Sequence, residues 1–548
     1  MRHRTLWIFV LCAALVGAQP LAPSTGAIIL ASDYPSLSTE EMGHIRHMIN
    51  LANQLDGDWS LMGNTPGGDN FDAYQFQIAF AAYALSLAQY HKVPAHRDLY
   101  RDASSRLIEK MIYKDVWQYW AAMSQYEKRG ADQDGNSSVY REDGWQGWID
   151  PNIKSNIMYS GHLLQMVSLH ESLFDDHRYD EPGSLPFVFP AIEYGGEPLR
   201  MDYDHERLAT VIYDQFVASD FLGIECELGA IYTECNQHPI LGLIQYDQTH
   251  GTDYSAEVEQ EFAETIRERE FISPENHTTM FYLHVRSDEV IPASTKWSSI
   301  GMAWSDGWNG QAHHVWAPQY VKDLYREQVK LYIPGMFEGD PGSDMGWTSS
   351  FDFGWFAVLA AEVGDMRTVA TMLDYADEHF GPTWRDGGLY YPHTPDYREN
   401  FNRDENGFIH NISPVTGNVL VAMTRLNPGD GLWTLYNEPR EEKHFAEPFV
   451  SDVEYIEANV TQAIYDRDKA ALIVTLAPGP VASDSTTFTV NQLDPSISYT
   501  IHKDGAQMGV VHSGSGSGVA GVTWNANGAL TISTELDGVH SFVVAANQ

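Results

Sequence analysis

Between about residues 37 and 426, apolar side chains recur every three and four positions, the spacing of a buried helical face. The stretches 76–90, 99–111, 157–173, 208–216, 258–266, 351–363 and 369–380 predict helices on this ground. Clusters of Pro, Gly and Asp, as at 64–69 and 335–342, punctuate them. Roughly eleven or twelve helices without a fixed-period repeat are too many for one bundle. They suit a toroid of paired helices, an (α/α)6 barrel, whose inner helix ends and loops enclose a central cavity.

Beyond Asn427-Pro428-Gly429-Asp430-Gly431 the pattern changes to short alternating runs at 470–476, 486–490, 499–502, 509–512, 530–533 and 541–545. Turn residues such as Asp504-Gly505 separate them. These runs predict a small C-terminal antiparallel β-domain of sandwich type, residues 441–548, after a helical domain spanning 19–440. The β-domain carries no cysteine and no acid–base cluster, so it is read as support for the helical domain.

The first 18 residues combine a basic start (Arg2, His3, Arg4), an apolar run from Leu6 to Val16 and a small-residue stretch ending at Ala18. This predicts a secretory signal peptide cleaved near Ala18, because the run is too short to span a bilayer. Secretion, or residence in an endomembrane lumen, is the expected localisation, with no membrane span after cleavage. Sequons at Asn136, Asn276, Asn411 and Asn459 fit a glycoprotein. The formal charge of −42 is spread along the chain. Such a surface repels nucleic acid and anionic lipid and leaves a neutral small molecule as the expected partner. Fifteen Trp within a 12% aromatic content exclude a disordered chain.

Loss of the signal removes Cys12 and leaves Cys226 and Cys235. Nine positions apart, with Glu227 after the first, they admit three readings. A zinc site needs four ligands, usually in tighter cysteine pairs, and His238 alone does not complete the set. A disulfide suits an oxidising compartment but adds little to a core this large. A reactive pair needs an acid–base partner; Glu227 would raise a neighbouring thiol's pKa, and His162 is the best second group.

In order along the chain stand Asn156-Ile157-Met158-Tyr159-Ser160-Gly161-His162-Leu163, then Cys226-Glu227, Cys235-Asn236, Tyr246-Asp247 and His250-Gly251-Thr252-Asp253-Tyr254. Ile78-Ala79-Phe80, Tyr83-Ala84-Leu85, Lys110-Met111, Val116-Trp117 and Ala360-Ala361-Glu362-Val363-Gly364-Asp365 accompany them. Over about residues 40–430 the chain resembles the linalool dehydratase/isomerase family, above all its secreted fungal relatives. The resemblance implies an (α/α)6 barrel that works without a cofactor or metal. It also implies a pocket lined by Cys226, Cys235, Glu227, His162 and Asp56, with Asp58 the alternative to Asp56. Two pocket tyrosines of the bacterial prototype fall at Met62 and Phe76, with Tyr74 close to the second. Asn236 follows the second cysteine, and Trp297 and Trp304 lie where a third tyrosine has no counterpart. These changes imply a different substrate on a retained framework.

The leading expectation is a cofactor-independent lyase or isomerase. It would dehydrate, isomerise or cyclise a hydrophobic terpenoid or other secondary-metabolite alcohol. A carbohydrate-active (α/α)6 enzyme with a carboxylate pair is the alternative, with Trp145 and Trp148 available to stack sugars. A non-enzymatic toroid stapled by Cys226–Cys235 is the third.

Overall fold

Helices buried on nearly every face form the inner wall of the molecule, and amphipathic helices form the outer one. The computed structural model describes residues 29–62, 74–128, 138–140, 147–190, 197–293, 303–333, 350–393, 404–405, 408–413, 415–513, 518–525 and 528–547. The expected signal segment 1–18, the sequon at Asn136 and the expected pocket residue Trp297 lie outside the described residues.

Numbering the long helices in chain order gives α1 (Thr39–Ala52), α2 (Tyr74–His91), α3 (Asp98–Met111), α4 (Ile157–Phe174), α5 (His205–Ala218) and α6 (Thr233–His250). They continue as α7 (Tyr254–Glu268), α8 (Ala303–Trp316), α9 (Pro318–Tyr332), α10 (Ser350–Glu362), α11 (Met366–His379) and α12 (Gly417–Leu426). Each even-numbered helix touches the next (α2, α4, α6, α8, α10, α12), and α12 returns to α2, closing a ring of six. The odd-numbered helices lie outside: α1 on α2 and α12, α3 on α2 and α4, α5 on α4 and α6, α7 on α6, α9 on α8, α11 on α10 and α12. The fold is an (α/α)6 toroid.

The two rings differ in sequence for a physical reason. In α9, Val321, Tyr325, Val329 and Tyr332 are buried at helical spacing and the remaining face is largely charged. In α2 every residue from Tyr74 to Gln89 is buried, with neighbours on all sides. Small residues let the inner helices approach closely. A Cβ on Gly307 of α8 would stand 2.5 Å from the carbonyl carbon of Trp355 in α10. One on Gly161 of α4 would stand 2.7 Å from Cδ of Pro239 in α6.

The C-terminal strands form two antiparallel sheets. One orders Ala458–Asp466, Ala471–Pro478, His540–Asn547, Ser498–Lys503 and Ala506–His512; the other orders Phe449–Ser451, Ser485–Asn491, Leu530–Glu535 and Val522–Trp524. They face each other through Phe488 and Phe542, ring centroids 5.1 Å apart. The other face of Ala471–Pro478 is covered by Ile29, Ala31 and Tyr34, so this strand reads as a continuous apolar run.

The sandwich also grips the start of the toroid. The Arg46 guanidinium of α1 lies over the Tyr455 ring at 4.3 Å and donates to the Ala458 carbonyl at 3.1 Å. Val450 N–H donates to the Ala95 carbonyl at 2.7 Å, and Ala95 N–H to that of Ala463 at 2.9 Å. Asn276 is exposed, whereas Asn411 and Asn459 are half-buried. The Asn459 amide donates to the Pro478 carbonyl at 2.9 Å and accepts from Arg46. No helix among the described residues is long and apolar enough to cross a membrane.

Candidate active site

The thiol end of the site is built by a tight turn. Cys226 N–H donates to the Ala230 carbonyl at 3.0 Å, and Ala230 N–H to that of Glu227 at 2.9 Å. Gly229 takes φ +82° in this turn, a conformation that favours glycine. Ala230–Ile231 then joins a small sheet with Tyr282–His284 and Glu289–Ile291. Cys235 lies in the first turn of α6. Its Sγ is 3.2 Å from that of Cys226; both residues are buried, and neither is in a disulfide. Burial pushes the Cys235 thiol well above the usual range, and its contact with Cys226 pushes it further, so it stays protonated.

The amide of Asn236, an expected pocket residue, is engaged by backbone. Oδ1 accepts from Ile224 N–H at 2.8 Å, and Nδ2 donates to the carbonyls of Ile224 (3.0 Å) and Tyr232 (2.8 Å). It fastens the segment before Cys226 to the start of the helix bearing Cys235. Glu227 is half-buried and accepts from the Tyr232 hydroxyl at 3.1 Å. Tyr119 donates to Asn156 Oδ1 at 2.8 Å. Burial raises both phenols, and the nearby cysteines and Glu227 raise them further.

His162 sits in the second turn of α4. The helix starts from two successive left-handed residues, Ser155 and Asn156, each at φ 56°. Asn156 tolerates this conformation and is held by Tyr119 and by the Pro151 carbonyl at 3.0 Å. His162 Nδ1 lies 2.8 Å from the Tyr83 hydroxyl, while Nε2 makes no hydrogen bond among the described residues. Burial lowers its pKa to about 3, so the ring is neutral at ordinary pH.

Sequence reading weighed the group closest to it only as an incomplete zinc ligand. His238, one turn beyond Cys235, places its ring 4.0 Å from that of His162. Its Nε2 accepts from Trp308 Nε1–H, so Nδ1 carries the proton and donates to Gln165 Oε1 at 2.7 Å. Both nitrogens of His238 are thereby committed. Of the two rings, His162 keeps Nε2 without a hydrogen bond among the described residues.

Around the two imidazoles stand Phe76, Phe80, Tyr83, Trp308 and Trp355. Phe76 meets His162 edge-on at 5.9 Å and Trp308 at 5.2 Å; Trp308 stacks on Trp355 at 4.3 Å. Of the other expected pocket residues, Met62 is buried in the same core, and Tyr74 stacks on Trp59 at 4.7 Å. Trp304 is half-buried, 6.4 Å from Trp308. Asp56 is not brought to this cluster. It is exposed in the loop after α1, where its charge faces Lys110; Asp58 beside it is also exposed.

Behind the first turn of α6 lie two buried acids that the sequence did not single out. Glu234 accepts from the Ser305 hydroxyl at 3.1 Å, and Asp306 from Thr279 N–H at 2.6 Å. Burial raises them to about 8 and about 7. The centre of the toroid thus holds a buried thiol pair, a neutral imidazole among aromatic rings, and two buried acids whose proton affinity burial raises. Such an arrangement can move protons with the Cys235 thiol and the His162 imidazole resting in their neutral forms.

Fold and site define a helical toroid with a buried thiol–imidazole centre. The sequence profile of the family "Linalool dehydratase/isomerase" matches residues 75–397, and the chain belongs to that family. Among solved structures it is similar to an α-1,6-mannanase of Salegentibacter sp. HEL1_6, with 10% identity over 73% of this chain and 99% of that one and a TM-score of 0.39. An unsaturated glucuronyl hydrolase of Bacillus sp. GL1 shares 12% identity over 74% and 96%, with a TM-score of 0.39. An α-mannanase of Bacteroides thetaiotaomicron shares 10% over 72% and 96%, with a TM-score of 0.38. These likenesses bear on no step of the chemistry below.

Proposed function

We propose that the protein is a cofactor-independent acid–base lyase or isomerase. It acts on the alcohol of a hydrophobic terpenoid or other secondary metabolite inside the toroid. The observation that carries this reading is the Cys226–Cys235 contact of 3.2 Å, buried beneath the ring of helices that also holds His162 with its unclaimed Nε2. A thiol donates its proton to the substrate hydroxyl, the C–O bond breaks, and water leaves. The resulting thiolate is stabilised by an S–H···S contact from its partner. The faces of Phe76, Phe80, Trp308 and Trp355 stabilise the allylic cation. A proton lost from the neighbouring carbon goes to His162 or back to the thiolate, giving an alkene; recapture of water at another carbon gives the isomeric alcohol. Atoms and electrons balance without an oxidant. The secretory address is part of the same proposal and rests on residues 1–18 and on Asn276, which is exposed for glycosylation.

The test compares extractable metabolites with and without the gene. A hydroxylated precursor should accumulate in its absence, and the purified protein should consume it. Cys235→Ala and His162→Ala should each abolish turnover; full activity in both would overturn the proposal. Reducing-sugar release from glycans would install the carbohydrate alternative instead.

A further inference from the structure

At the C-terminal ends of the inner helices α4 and α6, Glu171, Asp180, His205 and His250 bring one donor atom each within 4.8 Å of one another. We propose that these four residues form a structural site for a divalent transition metal of the zinc type. The site ties the C-terminal ends of α4 and α6 to the start of α5.

The spacing fits. Ligands bound at ~2.0–2.1 Å in tetrahedral array stand about 3.3 Å apart. His205 Nδ1 lies 2.8 Å from Glu171 Oε2 and 3.6 Å from Asp180 Oδ1, and His250 Nε2 lies 3.1 Å from Asp180 Oδ1. Two imidazoles with two carboxylates are a donor set suited to zinc and its neighbours.

The hydrogen bonds of the second ring nitrogens point the same way. His250 Nδ1 lies 2.9 Å from Thr249 Oγ1 and 3.2 Å from the Tyr246 carbonyl; with the Thr249 hydroxyl turned to the Gln245 carbonyl at 3.3 Å, the proton belongs on Nδ1. In the neutral ring Nε2 is then a bare lone pair aimed at a carboxylate oxygen. His205 Nε2 is likewise engaged, by Ser168 Oγ at 2.8 Å, leaving Nδ1 toward the carboxylates. Metal-bound histidines are oriented in this way through their outer nitrogen.

A separate observation concerns Glu171. It is 2% exposed, yet its Oε1 makes no hydrogen bond, although His177 Nδ1 stands 3.1 Å away on the solvent side. Converging lone pairs of this kind are relieved either by extra protons on the imidazoles or by a cation. Asp180 and His250 are only half-buried, which leaves the metal a way in. Helix rise puts Glu171 about 14 Å along α4 from His162, and His250 about 22 Å along α6 from Cys235. The metal would therefore set the spacing of these two helices without touching substrate. It gives the His250-Gly251-Thr252-Asp253-Tyr254 motif a role that the thiol chemistry leaves open.

The test uses chelator-treated full-length protein and Co2+, then Zn2+. One equivalent of Co2+ should give the ligand-field absorption of a four-coordinate nitrogen–oxygen site, displaced by Zn2+, and Zn2+ should raise the melting temperature. Asp180→Asn, at a half-exposed loop position, should weaken Zn2+ binding at least 10-fold. Cys226→Ser with Cys235→Ser should leave it unchanged. No uptake of either ion, equal affinity in Asp180→Asn, or a thiolate-to-cobalt charge-transfer band would overturn the proposal in favour of imidazolium–carboxylate pairs or a cysteine site.

Discussion

The Tyr83 hydroxyl lies 2.8 Å from His162 Nδ1, and this one contact decides what the imidazole can do. If the phenol donates, Nε2 carries the ring proton. If it accepts, and turns its own proton to the His162 carbonyl 3.4 Å away, Nε2 is a base. Tyr83→Phe leaves Nδ1 buried without its partner. Turnover should fall about 10- to 100-fold, less than the ~10²–10⁴-fold of losing an acid–base group outright, because His162 itself remains. Stability should drop by about 1–3 kcal/mol. Steady-state kinetics beside denaturant unfolding separates the two effects. A mutant with wild-type kcat would remove Tyr83 from the positioning of His162.

A second expectation concerns the sulfurs. Cys226 and Cys235 are near enough to join after a small closing movement. Oxidation would remove both exchangeable protons, so mild oxidant should abolish turnover and dithiothreitol should restore it, while the fold stays intact. Thiol titration against activity checks this. Full activity in a protein with no titratable thiols would exclude the pair from catalysis and leave Glu227 and His162 to carry it.

The third expectation is a pH dependence from Glu234. The group ionises near 4.5 when unfolded and near 8 when folded. Between those values the folded chain holds a proton that the unfolded chain has lost, so raising the pH destabilises, by at most about 1.4 kcal/mol per pH unit. Above pH 8 the penalty is constant. Glu234→Gln removes it, so the variant's advantage in melting temperature should grow from pH 5 to pH 8 and then level off. His162 acts in the opposite sense below 6.5, where the unfolded ring gains a proton that the folded ring refuses. Both proteins share that effect, so it cancels in the difference. A pH-independent difference would mean that Glu234 is ionised in the folded protein.

The fourth expectation tests how tightly the inner helices pack. Gly307→Ala drives a methyl into the Trp355 and Phe356 backbone, which cannot rotate away as a side chain would. A loss of about 1–3 kcal/mol, or more, is expected. Gly538→Ala meets nothing within 4 Å and is the control. Equal urea midpoints for the two variants would show that α8 and α10 pack less closely than stated.

Much of the architecture is written in apolar spacing. The expected helices at 76–90 and 157–173 became α2 and α4 with small changes at their ends, because apolar residues recur at helical spacing through both, although α4 also buries Gln165, Ser168 and Glu171. Helices α6 and α8 are harder to read because polar residues take more of their buried positions. They bury polar side chains such as Asn236, Gln237 and His238, or Asp306, Asn309 and His313, and α6 carries Pro239 as well. Polar residues on a buried face disguise the helix that presents them. The strand Ala458–Asp466 was not among the runs expected from alternation, since its burial is uneven and a bulge shifts its register between Val460 and Gln462. His162 and the thiol pair were legible through their motifs. His238 was not, because its role lies in a ring contact across two helices. Asn236 was legible as a neighbour of Cys235, but its bonds to Ile224 and Tyr232 depend on the turn that the structure reveals.

The grip of the sandwich on α1 also constrains how the chain is made. Arg46 and Asn459 are 413 positions apart. At ribosomal speeds of about 5–20 residues per second, Arg46 waits for roughly 20 to 80 seconds before its partner exists. For about nine-tenths of that time the first helical pair has neither α12 (Gly417–Leu426) nor the sandwich to cover it. The toroid is therefore a structure whose first-made part is finished last. Destabilising lesions in the C-terminal strands should first be felt as exposed surface on α1 and α2, where holdase chaperones would bind during synthesis.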